Sequence, residues 1–428
     1  MQLNKLEKLA VDTPKKKIKK FWKSLGPGVI TGSSDDDPSG IAAYSQAGAN
    51  YGLSTLWSAL YTFPLMAAIQ EMCARIGLAT RKGLVGNIKE HYSKWILYLV
   101  LLLSFPAIIL NIGADIAGMG AVSNLLLPGI PSLVFSCFFS LLLILSMIYL
   151  PYKKMANIMK WLCLSLLVYI LVPFIAGVDW KSVLIAGIIP DIHFTKIYFA
   201  ALVGILGTTI SPYLFFWQTS MSIEDHNHKK HTIVVDKKEI TEMRRDVNLG
   251  MFFSNLVAFF IILTTGTVLF NAGINNIQTV EQAALALKPL AGNLSYLLFA
   301  LGVIGTGFLA IPVFAGALSY GLAELFGWKE GMDKRTYQAK GFYAVIIISI
   351  FIGFLINLLG ISPITALIYT AIIYGVIAPV MIAVILHMCN SKKIMGKYVN
   401  GTWSNVLGVI TLVLMTVAAL AMFYFMLF

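Results

Sequence analysis

Apolar runs of about 20 residues are the feature that most limits how this chain can fold, because a helix of that length crosses a lipid bilayer. Hydrophobic residues make up 58% of the chain and charged residues only 12%, which is about half the charged fraction of a soluble domain. We therefore predict an all-α membrane protein with eleven transmembrane helices. This composition excludes a soluble enzyme, a disordered chain and a secreted disulfide scaffold. The eleven runs lie near residues 22–50, 53–79, 95–126, 131–150, 155–177, 196–223, 247–271, 293–326, 339–359, 363–388 and 403–427.

The basic residues predict how these helices are oriented. If the N-terminus lies in the cytoplasm, 29 of the 32 Lys and Arg residues fall in cytoplasmic segments, as the positive-inside rule requires. We therefore predict an integral protein of a bacterial cytoplasmic membrane, with the N-terminus inside and the C-terminus outside. The net charge of +12 then belongs to these segments and does not indicate nucleic-acid binding. The longest of them, 224–246, contains the string HNHKKH, which we interpret as a hydrated loop.

A polar segment, SSDDDPSG at residues 33–40, interrupts the first predicted helix. Pro38 lacks a backbone N–H and disfavours helical geometry at Asp37. A helix broken at membrane depth is tolerated only where protein or a water-filled cavity satisfies its polar backbone groups. Carboxylates at that depth indicate a functional site. Asp37 is the strongest candidate, while Asp35 and Asp36 are expected to line the site or its aqueous entrance.

The sixth predicted helix carries a second interruption, TTISPY at residues 208–213. Pro212 again removes a backbone hydrogen bond, and the hydroxyl groups of Thr208, Thr209 and Ser211 lie close to it in sequence. An ordinary proline kink would explain this helix taken alone. The two interruptions, however, fall in spans 1 and 6, the first span of each five-helix half. Interrupted helices at corresponding positions indicate the substrate site of an inverted-repeat transporter.

The position of the two breaks predicts the organisation of the chain. A basic cytoplasmic tail occupies residues 1–21, and a transmembrane transport domain occupies residues 22–388. The domain consists of one repeat at 22–177 and a second at 196–388. Because five is an odd number, the second repeat must enter the membrane in the opposite orientation. A cytoplasmic loop and the eleventh helix follow at 389–428.

The breaks offer a site that consists of oxygen atoms. Carbonyl groups released from the helices, a carboxylate and several hydroxyl groups are the ligands that hard divalent cations such as Mg²⁺ and Mn²⁺ prefer. Na⁺ would also suit such a set. An anionic substrate is disfavoured beside three aspartates. The bound group would then be a transported ion rather than a cofactor, and the sequence indicates neither a nucleic-acid partner nor an obligatory protein partner.

Three stretches resemble the opening helices of the Nramp family of divalent-metal transporters. They are GPGVITGSSDDDPSG, the following AGANYGLSTLW, and QEMCARIGLATRKGL. The resemblance covers nearly the whole chain in the number and order of the spans, and it is specific in spans 1, 2 and 6. It implies a LeuT-like 5+5 inverted repeat with broken helices 1 and 6. It also implies a secondary transporter, not an enzyme, that carries divalent metal by alternating access.

The family motif in span 1 is Asp-Pro-Gly-Asn, in which the Asp and the Asn bind the metal. Asp37 and Pro38 match this motif, Ser39 replaces the Gly, and Gly40 stands where the Asn would be. The resemblance therefore implies that Asp37 is the anionic metal ligand and that Gly40 offers a carbonyl oxygen. Asp36 and Pro38 would line the site.

The family motif in span 6 is Met-Pro-His, with a carbonyl ligand three residues before the Met. Pro212 matches, Ser211 replaces the Met, Tyr213 replaces the His, and Thr208 occupies the carbonyl position. The resemblance therefore implies that Thr208 binds metal through its carbonyl and Ser211 through a hydroxyl or a water. Pro212 and Tyr213 would line the site.

These replacements bear on the transported ion. The thioether of the family's Met favours transition metals, and Ser211 lacks that preference. Loss of the Asn amide leaves fewer side-chain ligands, which suits an ion that keeps several waters, as Mg²⁺ does. The sequence thus resembles the Nramp-related branch that transports Mg²⁺ and Mn²⁺, and we expect these ions rather than Fe²⁺ or Cd²⁺.

Replacements in the family's proton route predict weak or absent proton coupling. Asp115 matches the family's span-3 Asp and is expected to line the site, but Gly118 stands where a Glu would follow one turn later. Tyr213 cannot exchange a proton near neutral pH as His does.

Other functions stay open at this point. They are a proton-coupled Mn²⁺/Fe²⁺ importer, a Na⁺-coupled amino-acid symporter of the same fold, and a cation channel lined by the same broken helices. An intramembrane enzyme is disfavoured because the spans contain neither an HExxH nor a GxSxG motif.

Overall fold

A computed structural model describes residues 27–150, 168–229 and 237–427 of the chain. Within these residues the regular secondary structure is entirely helical. The predictions for the basic tail at 1–21 and for the start of the fifth span fall outside the described residues.

The described helices of the first half are dominated by long apolar segments. They are α1 (Pro27–Asp35), α2 (Pro38–Tyr51), α3 (Leu56–Thr80), α4 (Leu84–His91), α5 (Lys94–Leu126), α6 (Ser132–Tyr149), α7 (Val168–Ile175) and α8 (Trp180–Ile188).

The second half continues the pattern with three short helices between the long ones. It contains α9 (Lys196–Thr209), α10 (Pro212–Lys229), α11 (Lys237–Val268), α12 (Val280–Ala284), α13 (Lys288–Ala291), α14 (Ser295–Phe326), α15 (Lys340–Ile356), α16 (Pro363–Asn390), α17 (Lys392–Met395) and α18 (Thr402–Leu427).

Eight segments of the described residues are long and apolar enough to cross a membrane, and they coincide with predicted spans 3, 4 and 6–11. The other three predicted spans each differ from these eight segments in one structural respect. Span 1 is divided into α1 and α2. Span 2 is the 25-residue α3, which carries the polar Gln70, Glu71 and Arg75. Span 5 begins outside the described residues, and only α7 represents it.

In the predicted cytoplasmic loop at 224–246, the described residues 224–229 and 237–246 are helical, which corrects the loop prediction for these residues. The helix α10 continues to Lys229, and α11 already begins at Lys237. Hydropathy marks where a helix leaves the membrane, but charged residues such as Glu, Lys and Arg are good helix formers and continue it into water. Within this region His226 is buried between Glu239 and Arg81.

Contacts between the halves follow an inverted repeat. The helix α3 of span 2 packs against α10 of span 6, and α11 of span 7 packs against α1 and α2 of span 1. Spans 6 and 7 of the second repeat correspond to spans 1 and 2 of the first. The contact of span 2 with span 6 therefore corresponds to the contact of span 7 with span 1. Both breaks consequently lie inside the bundle, between helices from both repeats.

Glycines bring α1 unusually close to α11. A methyl group added at Gly32 would lie 2.3 Å from the carbonyl oxygen of Gly250, and one added at Gly28 would lie 2.6 Å from the amide nitrogen of Val247. The amide of Gly28 also donates to Asp246 Oδ2 at 2.7 Å. The two helices therefore meet backbone to backbone, a contact that no other residue at Gly28 or Gly32 would allow without a shift.

Candidate functional site

The first break separates α1, which ends at Asp35, from α2, which begins at Pro38. Asp37 is the N-cap of α2, a position at which Asp is favoured, and Pro38 occupies the first helical position, where proline is favoured. The Asp37 carboxylate accepts hydrogen bonds from the amide of Gly40 at 2.6 Å and from Ser39 Oγ at 2.8 Å. Its side chain is only 1% exposed.

Asn111 of α5 supplies a further partner that the sequence analysis missed. Its Nδ2 donates to Asp37 Oδ2 at 2.8 Å. Its other polar atom, Oδ1, is buried and has no hydrogen-bond partner among the described residues. The one local signal was an Asn in the middle of a 33-residue apolar helix, where polar residues usually face another helix.

The second break separates α9, which ends at Thr209, from α10, which begins at Pro212. Because Pro212 has no N–H, the carbonyl of Thr208 loses the donor that a continuous helix would provide. Ser211 Oγ takes this role and donates to the Thr208 carbonyl at 2.6 Å. It also lies 2.9 Å from the carbonyl of Gly207.

At the first break, too, a side-chain hydroxyl takes the place of the missing backbone donor. Pro38 leaves the carbonyl of Ser34 without a helical donor, and the hydroxyl of Tyr213 donates to it at 3.0 Å. Tyr213 is buried, and its hydrogen bond to Ser34 joins the second break to the first. A methyl group added at Gly40 would lie 2.9 Å from Thr208 Oγ1, so the two breaks lie side by side.

Gly40 and Thr208 differ in the state of their carbonyl groups. Gly40 lies in the first turn of α2, where a carbonyl is expected to bond to the amide four residues later. The Thr208 carbonyl has been released by Pro212 and is bonded to a hydroxyl. The predicted ligand Asp37 thus lies close to both Gly40 and the end of α9. Ser211 belongs to the same group of residues, because its hydroxyl bonds to the Thr208 carbonyl.

Asp35 and Asp36 are buried against α11 rather than exposed at an aqueous entrance. Their side chains are 0% and 3% exposed. Ser254 of α11 donates to Asp35 Oδ2 at 2.8 Å and lies 3.4 Å from Asp36 Oδ1. The close backbone contact between α1 and α11 brings the end of α1 next to this serine, a consequence that local sequence does not reveal.

Asp115 lies one turn after Asn111 on α5 and faces Asp37 and the amide of Ser39. It is fully buried, and neither of its carboxyl oxygens makes a hydrogen bond of normal geometry with the described residues. Gly118, one turn further along, lies opposite Pro38 at an added-methyl distance of 3.8 Å.

A pocket borders the site on this side. Pro38, Ser45, Gly118, Phe299 and Leu367 are among its lining residues, and most of the lining is apolar. Gly118, where the resemblance to the Nramp family would place a Glu, therefore faces an apolar pocket beside the first break.

Four buried carboxylates lie around the breaks, namely Asp35, Asp36, Asp37 and Asp115. In the part of the chain that the structure describes, no Lys, Arg or His forms an ion pair with any of them. The described part of the chain also contains no group of three His, Cys, Asp or Glu side chains that would cage a metal ion. The arrangement thus attracts cations but offers a mixed set of carboxylate, amide, hydroxyl and carbonyl oxygens.

A match to a protein family decides what the chain is. Residues 28–425 match the family model described as natural resistance-associated macrophage protein-like. The protein is a member of the Nramp family. This Nramp protein is 24% identical to a divalent metal cation transporter MntH of Yersinia enterocolitica, over 94% of the chain and 95% of the relative. It is also 24% identical to an MntH of Caldanaerobacter subterraneus, over 92% and 90%.

Solved structures confirm the fold of this Nramp protein. A crystal structure of the Eremococcus coleocola manganese transporter superposes with a TM-score of 0.74 at 18% identity, covering 94% of this chain and 86% of that one. The nucleobase-cation-symport-1 transporter Mhp1 superposes with a TM-score of 0.51 at 12% identity, covering 93% and 92%. The predicted all-α membrane fold, a LeuT-like inverted repeat with broken helices 1 and 6, is therefore confirmed.

Proposed function

We propose that this Nramp protein is a secondary transporter that carries divalent metal cations, Mg²⁺ and Mn²⁺, by alternating access and with weak or absent proton coupling. Its family and the names of its relatives support the divalent cation. Four buried carboxylates without a basic partner among the described residues support a cation over an anionic or zwitterionic substrate. A Na⁺-coupled amino-acid symporter is disfavoured for that reason.

The observation that carries the choice of ion is the bond between Ser211 and the Thr208 carbonyl. In the family motif this position is a Met, which has no donor and leaves the carbonyl available to the metal. Here the hydroxyl competes for that carbonyl at 2.6 Å, and the soft sulfur ligand is missing as well. An ion in this site has fewer direct protein ligands and must keep more of its waters.

Unpartnered oxygens near Asp37 fit a hydrated ion. Asn111 Oδ1 is a buried acceptor without a partner in the described residues, and neither carboxyl oxygen of Asp115 makes a hydrogen bond of normal geometry there. Waters bound to a metal ion are strong donors, so these acceptors would hold the hydration shell while Asp37 contacts the ion. Mg²⁺ dehydrates reluctantly and is usually bound through one or two carboxylates with several waters retained.

Two features support weak proton coupling. Gly118 places no titratable group at the pocket beside Pro38. Tyr213, in the position of the family's His, uses its hydroxyl to bond the Ser34 carbonyl. Asp115 is retained and favours the second candidate, a proton-coupled Mn²⁺/Fe²⁺ importer. Proton movement therefore needs its own measurement.

Uptake into proteoliposomes tests the proposal directly. We expect saturable uptake of Mg²⁺ and Mn²⁺, with Ca²⁺ and Fe²⁺ as comparison ions, and loss of uptake in Asp37→Ala. Asp179→Ala is the matched control, because that aspartate is the exposed N-cap of α8, a helix that contains neither break. Undiminished Mg²⁺ or Mn²⁺ uptake by Asp37→Ala would overturn the assigned site, and flux that does not saturate would favour a channel.

A pH-sensitive dye enclosed in the same vesicles tests the coupling. We expect Mn²⁺ uptake without acidification of the vesicle interior at neutral pH. Acidification that follows Mn²⁺ entry and disappears in Asp115→Asn would instead establish the proton-coupled importer.

A further inference from the structure

Two further carboxylates, those of Asp35 and Asp36, lie on the α1 side of the first break, apart from the Asp37 site. Asp35 and Asp36 are buried side by side, and a single hydroxyl, Ser254 Oγ, is within hydrogen-bonding range of an oxygen of each. The two carboxylates therefore face a common point between α1 and α11. Asp37 does not share this contact, since its oxygens are held by Ser39, Gly40 and Asn111.

Nothing among the described residues compensates the charge of this pair. In the described part of the chain, no basic side chain forms an ion pair with either carboxylate. Asp35 Oδ1 is buried and has no hydrogen-bond partner in the described residues. Asp35 is the last residue of α1 and Asp36 follows it, so the pair lies at the C-terminal end of this helix, where the helix dipole is negative and further disfavours anions. Interrupted transporter helices use such C-terminal ends to bind cations.

We propose that Asp35, Asp36 and Ser254 bind a second divalent cation, so that the transporter holds two ions at neighbouring sites. Two carboxylates and a hydroxyl are hard oxygen ligands, and a divalent ion neutralises both charges, whereas a monovalent ion leaves one uncompensated. This inference rests on the proposed function, because the second ion is of the transported kind. Repulsion between two neighbouring cations would promote release of the ion at Asp37, as it does between adjacent ion sites in channels.

Mn²⁺ binding to the purified full-length protein tests this inference. We expect equilibrium dialysis to give two Mn²⁺ per chain, and electron paramagnetic resonance to show dipolar coupling between them. Ser254→Ala and Asp35→Asn should each reduce the number to one and remove the coupling. Ser319→Ala is the matched control, because among the described residues its buried hydroxyl bonds only within its own helix, to the Ala315 carbonyl. It should retain two ions.

The outcomes separate the two proposals. One Mn²⁺ per wild-type chain with transport intact would overturn the second site and leave the proposed function standing. Two ions retained in both Ser254→Ala and Asp35→Asn would overturn it as well, even if one of these variants folds poorly. Absence of both Mn²⁺ binding and transport in the wild type would instead overturn the proposed function itself.

Discussion

Replacing Asn111 by Leu tests whether α5 positions the metal-binding carboxylate. Asn111 Nδ2 donates to Asp37 Oδ2 at 2.8 Å, and both side chains are buried. Leu is similar in size but has no donor, so Asn111→Leu removes this bond and adds no charge. Among the described residues, Asp37 then keeps only the contacts from Ser39 and Gly40, which both come from its own helix turn.

The size of the effect follows from the kind of bond that is lost. A hydrogen bond to a charged group contributes about 1.5–3 kcal/mol, and about 1.4 kcal/mol corresponds to a tenfold change in affinity. Groups that orient metal ligands are typically worth 10- to 100-fold in metal affinity. We therefore expect Asn111→Leu to weaken Mn²⁺ binding about 10- to 100-fold.

Isothermal titration of Mn²⁺ into the purified protein measures this change. Asn255→Leu is the matched control, because Asn255 is also a buried Asn within a transmembrane helix and bonds to the Met251 carbonyl at 3.0 Å, away from Asp37. The control should lose thermal stability but keep its Mn²⁺ affinity. An unchanged affinity in Asn111→Leu, or an equal loss in both variants, would refute the positioning role of α5.

Three further predictions concern stability and use thermal unfolding as the measurement. Gly32→Ala must move α1 by about 1 Å, so it should cost about 1–3 kcal/mol; an unchanged Tm would contradict the close helix contact. Tyr213→Phe leaves a buried carbonyl unsatisfied and should cost about 1–3 kcal/mol, whereas Tyr374→Phe removes a hydroxyl with no partner in the described residues and should cost little. Burial, aided by the charge of Glu324, raises the pKa of Glu330 to about 8 from 4.5. Because the folded state then binds the proton more tightly than the unfolded state, Tm should fall as pH rises from about 5 to 8, and Glu330→Gln should flatten this slope.

The fold was largely predictable because hydropathy and proline act locally. The predicted spans 95–126 and 293–326 agree with α5 and α14 to within two residues, since the membrane demands an unbroken apolar run. Pro38 and Pro212 marked both breaks because a proline cannot donate to the helix. The helical extensions over 224–229 and 237–246 were not predictable from hydropathy, because charged residues end a membrane span without ending a helix.

The site was predictable only where neighbours in sequence meet. Asp37, Ser39 and Gly40 form the N-terminus of one helix, so the motif itself predicts that they contact one another. Asn111 and Ser254 reach the aspartates from 74 and 219 residues away in the chain. Nothing local tells which polar residue of a long apolar helix faces a break in another helix, so these contacts required the tertiary structure.

The two prolines have a consequence for how such sequences diverge. Each releases one carbonyl that needs a donor or a cation, and Tyr213 and Ser211 provide the donors here. A relative that loses one of these hydroxyls must therefore gain another donor or expose that carbonyl to its ion. Residues 211 and 213 should accordingly covary with ion selectivity across related transporters, while Pro38 and Pro212 stay constant. Ion preference would then be readable from the residues on either side of one proline.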